Sequence, residues 1–193
     1  MKATIFSLAL ISFTVIGLNA QNLTADVKKS TLAWHGKKVT GEHFGNIQLK
    51  EGWIELKDGK IVKGTFIMDM TSITNTDLKD PGYNKKLVDH LKSDDFFGVA
   101  KHPEARIEIL KSTPFLNNES TVDANLTIKN ITHPITFKAK REGSVYSAVI
   151  VVDRSKYDVR YGSGSFFDNL GDNMIYDEFT MTVRVEMTEK TAD

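Results

Sequence analysis

The sequence predicts an all-β domain, an antiparallel barrel or sandwich interrupted by one short helix. Three observations carry this: apolar residues recur with a period of two, turn residues separate the runs, and a single segment changes to helical spacing. The chain has 193 residues, with 25 Lys+Arg against 25 Asp+Glu, 40% hydrophobic residues and no cysteine. Balanced charge leaves no basic field to release counterions from a phosphate backbone, so nucleic acid is excluded as the main partner. The absence of thiols rules out cysteine nucleophiles, thiolate metal sites and disulfide staples.

The elements follow in chain order. Residues 1–20 read as a signal peptide: Lys2 gives the positive start, Ile5 to Leu18 the apolar stretch, and Asn19-Ala20-Gln21 the small-residue cleavage site. Fourteen apolar-run residues fall short of the ~20 that cross a bilayer. Residues 21–193 then form the expected single domain. Its early strands are Thr31–Lys38 around Trp34, Gly45–Leu49, Trp53–Leu56 and Lys60–Met70, with Glu51-Gly52 and Asp58-Gly59 between them as turns.

From Asp80-Pro81-Gly82 the pattern changes. Tyr83–Lys92 places Leu87, Val88 and Leu91 at helical spacing, and Ser93-Asp94-Asp95-Phe96-Phe97-Gly98 reads as an irregular turn. Alternation then returns. Ala105, Ile107 and Ile109 share one face, as do Val122, Ala124, Leu126 and Ile128, with polar residues between them. Asn130–Pro134 reads as the connection to Ile135, Phe137 and Ala139. Val145–Asp153 and Phe179–Met187 are the last strands, separated by a polar loop over Ser163–Asp177. Closure into a barrel removes exposed edges, and an eight-stranded barrel is either filled by its own side chains or holds one small ligand.

At this level of detail the sequence resembles the YceI-like family of lipid- or polyisoprenoid-binding proteins. The resemblance rests on Trp34-His35-Gly36-Lys37-Lys38, Gly41-Glu42-His43-Phe44-Gly45, Gly64–Ile73, Leu87–Phe97, His102-Pro103-Glu104-Ala105, Leu126–Ile135 and Asp153-Arg154-Ser155-Lys156-Tyr157. It implies a lipocalin-like, eight-stranded antiparallel barrel with a helical insertion. It further implies a periplasmic or secreted bacterial protein that carries a long isoprenoid or similar amphiphile without catalysing a reaction.

Residues facing such a ligand are expected on the apolar faces: Phe66 and Met68, Ile107 and Ile109, Leu126 and Ile128. Phe137, Val149 and Val151, then Phe179, Met181 and Val183, complete the expected wall. The inward faces of 60–70 and 145–153 stay open, because both faces carry apolar residues; Ile150 and Val152 compete with Val149 and Val151. Arg154 is the head-group candidate, since its fork binds pyrophosphate or carboxylate; the alternative is an ion pair closing that end of the barrel.

The rival readings are a filled barrel with a surface role and a metal-dependent hydrolase using His43, His90 or His102. His35 and His43 are candidates to face one another across a hairpin. No His-x-His or His-x-x-x-His spacing supports a metal, and no nucleophile elbow or phosphate loop supports catalysis. Asp94-Asp95, and Asp168 with Asp172, lack calcium-loop spacing. The expectation is therefore no catalytic residue, no metal and no cofactor. A homodimer and transient membrane contact are left open.

Overall fold

The computed structural model describes residues 20–189; residues 1–19 of the expected signal peptide lie outside them. Eight strands close a barrel in sequence order: β1 (Gln21–Lys38), β2 (Gly41–Lys57), β3 (Lys60–Asn75), β4 (Glu104–Ser112), β5 (Glu119–Ile128), β6 (Ile131–Glu142), β7 (Val145–Asp153) and β8 (Ile175–Glu189). One helix, α1 (Pro81–Lys92), interrupts them between β3 and β4. All neighbouring strands are antiparallel, and β1 closes the ring against β8.

The first three strands have 18, 17 and 16 residues, which at about 3.3 Å each makes the barrel elongated. Two short strands expected in the sequence are one continuous β2. Glu51-Gly52 is not a turn but a bulge, where the register against β3 shifts between Leu49 and Glu51. A Cβ at Gly52 would collide with the Phe66 ring opposite, so glycine lets this aromatic side chain pack inward against the bulge.

Asp58 (φ 51°) and Gly59 (φ 69°) do form a tight turn, whose two positive φ values match the twist of the strands it joins. Lys129 (φ 50°) and Asn130 (φ 62°) form another. Because that turn ends at Asn130, β6 begins at Ile131, and His133-Pro134 lies inside the strand rather than in a connection.

Helix α1 starts where expected from its chemistry: Asp80 Oδ1 accepts from the Tyr83 N–H at 2.9 Å, and Pro81 occupies the first turn. Leu91 is buried and Leu87 packs against the core. The helix is fixed to β3 by Asn84, whose Nδ2 donates to the carbonyls of Asn75 and Leu78 at 3.1 and 3.0 Å.

The core lies inside the ring, and cross-strand neighbours share a face. In β3, Met68 and Met70 point inward; Ile67 is buried outside the core cluster. In β7, Tyr146, Ala148, Ile150 and Val152 point inward. Val149 and Val151, expected to face the ligand, are instead 61% and 56% exposed. The pairing explains this correction: Ile150 and Val152 lie opposite the inward Met181 and Phe179, whereas Val149 and Val151 lie opposite Thr182 and Thr180.

Candidate functional site

The barrel interior holds an apolar tunnel in two chambers. The larger, about 140 Å³, lies beneath α1; the smaller, about 80 Å³, lies toward the Asp58-Gly59 turn. Leu32, Met68, Ile107, Ile150 and Val183 border both, so the two chambers adjoin within one barrel interior. A cavity of this size walled by aliphatic and aromatic side chains stays dry and accepts an apolar guest.

The alternation places most expected residues on this wall. Leu126, Ile128, Phe179 and Met181 border the larger chamber, and Phe66, Ile109 and Phe137 the smaller; Met68, Ile107 and Val183 touch both. Trp34, Ile47 and Ile150 also line it. Trp34 follows the same period-two signal as Leu32, so its place was readable from β1. Phe96 and Phe97 were not readable, because they come from the irregular turn after α1. There the Phe97 N–H donates to Leu91 O at 3.2 Å and the Val99 N–H to Lys92 O at 2.9 Å, folding both rings over the end of the barrel.

Arg154 lies at the same end and borders the larger chamber, but its fork is not open to a head group. The side chain is 2% exposed. Nη1 donates to Val159 O at 2.8 Å, Nη2 to Ile175 O at 3.0 Å and Nε to Tyr176 O at 3.2 Å. Its ion-pair partner is Asp177, not Asp153. Asp153 instead accepts from Ser155 N–H at 3.0 Å and caps the 3-10 turn Arg154–Tyr157. The guanidinium also lies over the Phe96 ring at 5.4 Å. Arg154 thus knots the loop after β7 to the start of β8.

Outside this knot, a polar vestibule of about 820 Å³ is bordered by Lys38, Lys129 and Arg160 and by Asp94, Asp95 and Asp158. Its three cations face three carboxylates, so it presents no net field to an anionic group. Ile175 borders both vestibule and tunnel. The opposite end of the barrel is covered by Phe115, edge-on to Tyr146 at 5.9 Å.

The histidines are dispersed. His35 stacks on Phe44 at 4.4 Å and meets Glu42 at 3.0 Å, while His43 lies opposite Gly36 and bonds Asp77 at 2.8 Å, so the two do not face each other. His90 packs edge-on to Tyr161 and Phe96, and His133 contacts Lys156 O at 3.0 Å. Among the described residues, no three His, Asp or Glu side chains gather in a geometry that could hold a metal ion.

Near the barrel ends, Asp77 and Tyr157 are among the groups that titrate away from their ordinary values. Burial would raise the Asp77 carboxyl, but hydrogen bonds from the Phe44 N–H, His43 and Asn75 outweigh it and hold it below the usual range. Burial, helped by the Asp153 charge, pushes the Tyr157 phenol up to about 12.

The eight strands define a closed antiparallel β-barrel around an apolar lumen. The family model of the YceI-like domain matches residues 23–187, and the chain belongs to that family. Solved structures share the fold. BcnA of Burkholderia cenocepacia has a TM-score of 0.63 at 21% identity, covering 85% of this chain and 99% of that one. A polyisoprenoid-binding domain from Saccharophagus degradans, implicated in plant cell wall breakdown, has a TM-score of 0.58 at 12% identity, covering 87% and 98%. The Campylobacter jejuni YCEI protein has a TM-score of 0.53 at 16% identity, covering the whole of both chains. Among curated proteins no match was found.

Proposed function

We propose that this protein is an exported, non-enzymatic carrier that encloses the chain of an isoprenoid or related long-chain amphiphile in its barrel, for transport, storage or sequestration. The observation that supports the reading is the two-chambered tunnel, whose wall offers apolar side chains and, in Arg154, a charge already committed to the protein. Chain burial there is favourable by about 25 cal/mol per Å² of apolar area removed from water. The Saccharophagus degradans domain, described as polyisoprenoid-binding, adds support from the same fold. The sequence of residues 1–20 supports export to a periplasmic or external space.

The test is native mass spectrometry of protein taken from its own cell envelope, followed by organic extraction. A stoichiometric long-chain lipid is expected. A protein that carries none, and takes up no added prenyl alcohol, would overturn the carrier reading in favour of a filled barrel.

A further inference from the structure

The barrel is closed, yet one seam in its wall is only partly laced. β6 pairs with β5 without interruption from Glu119↔Lys140 to Ile128↔Ile131, and β7 pairs with β8 without interruption from Val145↔Glu186 to Asp153↔Glu178. Between β6 and β7 themselves the ladder runs only from Glu142↔Val145 to Ala139↔Ala148. Continued, that register would set Lys138 against Val149 and Thr136 against Val151. Among the described residues, those pairs are not made.

The local chemistry fits an unlaced edge. In the hairpin closed by Ile128↔Ile131, the backbone groups of Ile131, His133, Ile135 and Phe137 turn toward β5, which leaves those of Thr132, Pro134, Thr136 and Lys138 turned toward β7. Pro134, which has no N–H to give, therefore sits on the unpaired side. Phe137 and Ile135 point inward but are only half-buried, as expected beside a gap. Val149 and Val151 form an apolar rim outside it. The foot of the seam is closed by the turn after β7, where His133 meets Lys156 O and the Tyr157 ring.

We propose that the β6–β7 seam, between residues 135–138 and 149–152, is the side portal through which a single hydrocarbon chain passes into the tunnel. This rests on the tunnel being a lipid site. Phe137 and Ile150 border the tunnel directly behind the seam, and Ile150 touches both chambers. Spreading these strands beyond the Ala139↔Ala148 rung breaks no ladder pair. Opening the α1 end would instead unseat Phe96 and Phe97, and the other end is tied by the Phe115 N–H to Gly59 O at 3.0 Å.

The chain lacks cysteine, so a tether can be placed freely. Thr136→Cys with Val151→Cys crosses the seam; Glu108→Cys with Asn125→Cys crosses the laced β4–β5 ladder as a control. Each pair is joined by oxidation, or by a short bis-maleimide where the Cα separation exceeds the roughly 7 Å limit of a disulfide. Binding of geranylgeraniol is followed by stopped-flow fluorescence of Trp34 in a Trp53→Phe background.

Closing the seam should slow association and dissociation by about ten-fold or more while changing Kd less than about three-fold, because a portal governs rates and not the bound state. Cleaving the disulfide should restore both rates; for a maleimide-joined seam, the untethered double variant supplies the fast reference. The control tether should leave them unchanged. Rates indifferent to the seam tether, or slowed equally by the control, would overturn the portal alone. No binding by the untethered protein would overturn the lipid reading, and the portal with it.

Discussion

Arg154 Nη2 lies 3.4 Å from Asp177 Oδ1, and the same guanidinium holds three main-chain carbonyls. The pair ties the segment leaving β7 to the strand that closes the barrel. Replacing Arg154 by Met removes the cation and strands Asp177, which is 20% exposed and whose Oδ1 has no hydrogen-bond partner of its own. The expected loss is about 3 kcal/mol of unfolding free energy, with the loop over residues 154–174 becoming the first site of limited proteolysis. Urea unfolding at neutral pH measures the first and timed digestion the second.

The bulge in β2 makes a steric prediction. Gly52→Ala forces a methyl group into the Phe66 ring and should cost about 1–3 kcal/mol. Combining it with Phe66→Leu should recover part of that loss. The two substitutions would then be non-additive in urea unfolding, which independent sites are not.

The faces of β7 separate by one residue. Ile150→Asp puts a carboxylate into the shared wall of both chambers and should abolish prenyl-alcohol binding, with a stability loss of several kcal/mol. Ile150→Phe, which narrows the lumen without a charge, should weaken binding in a protein that still unfolds cooperatively. Val149→Asp should stay within about 0.5 kcal/mol of the parent, since that side chain faces solvent. Equal losses from Ile150→Asp and Val149→Asp would contradict the assignment of faces.

Asp77 links stability to acidity. Its folded carboxyl titrates below its unfolded value, so its contribution is present above about pH 3.9 and is lost as the pH falls through the folded value. Asp77→Asn should therefore cost about 1 kcal/mol at pH 7 through the weakened bonds to the Phe44 N–H and His43, and close to nothing at a pH acidic enough to protonate the folded carboxyl. Parallel urea curves at the two pH values decide it.

Tyr157 makes the opposite link. A phenol raised to about 12 when folded stabilises the protein fully below the unfolded value near 10, and that stability drains away as the pH rises from 10 to 12. Tyr157→Phe should flatten this alkaline loss. Ultraviolet titration of the folded parent should show a phenol that ionises late and is recovered in urea.

How far this was legible from the sequence depended on which physical signal each part carries. Alternation in Val122–Ile128 and Phe179–Met187 states which residues turn inward, because polar neighbours mark the other face. Val149–Val152 gave no such contrast: four consecutive apolar residues fit either parity, and only pairing with Thr180 and Thr182 fixes it. Glu51-Gly52 resembled a turn because glycine serves both turns and bulges. Arg154 was visible as a charge at a strand end, but its commitment to carbonyls of residues 159, 175 and 176 is a tertiary fact with no local signature. Phe96 and Phe97 sit in irregular backbone, where no period assigns a direction.

The nearest-neighbour order of the strands also shapes how the chain reaches its final form. Seven of the eight ladders join segments consecutive in sequence, and only β1 with β8 pairs distant positions such as Leu32 and Val183. Loop-closure entropy makes that last ladder the slow one, so hairpins should zip early while ring closure sets the folding rate. Until β8 arrives, β1 presents an open edge. A chain stalled before residue 175 would expose Leu32 and Trp34 to other chains, and that intermediate, rather than the finished barrel, is the species to protect from aggregation.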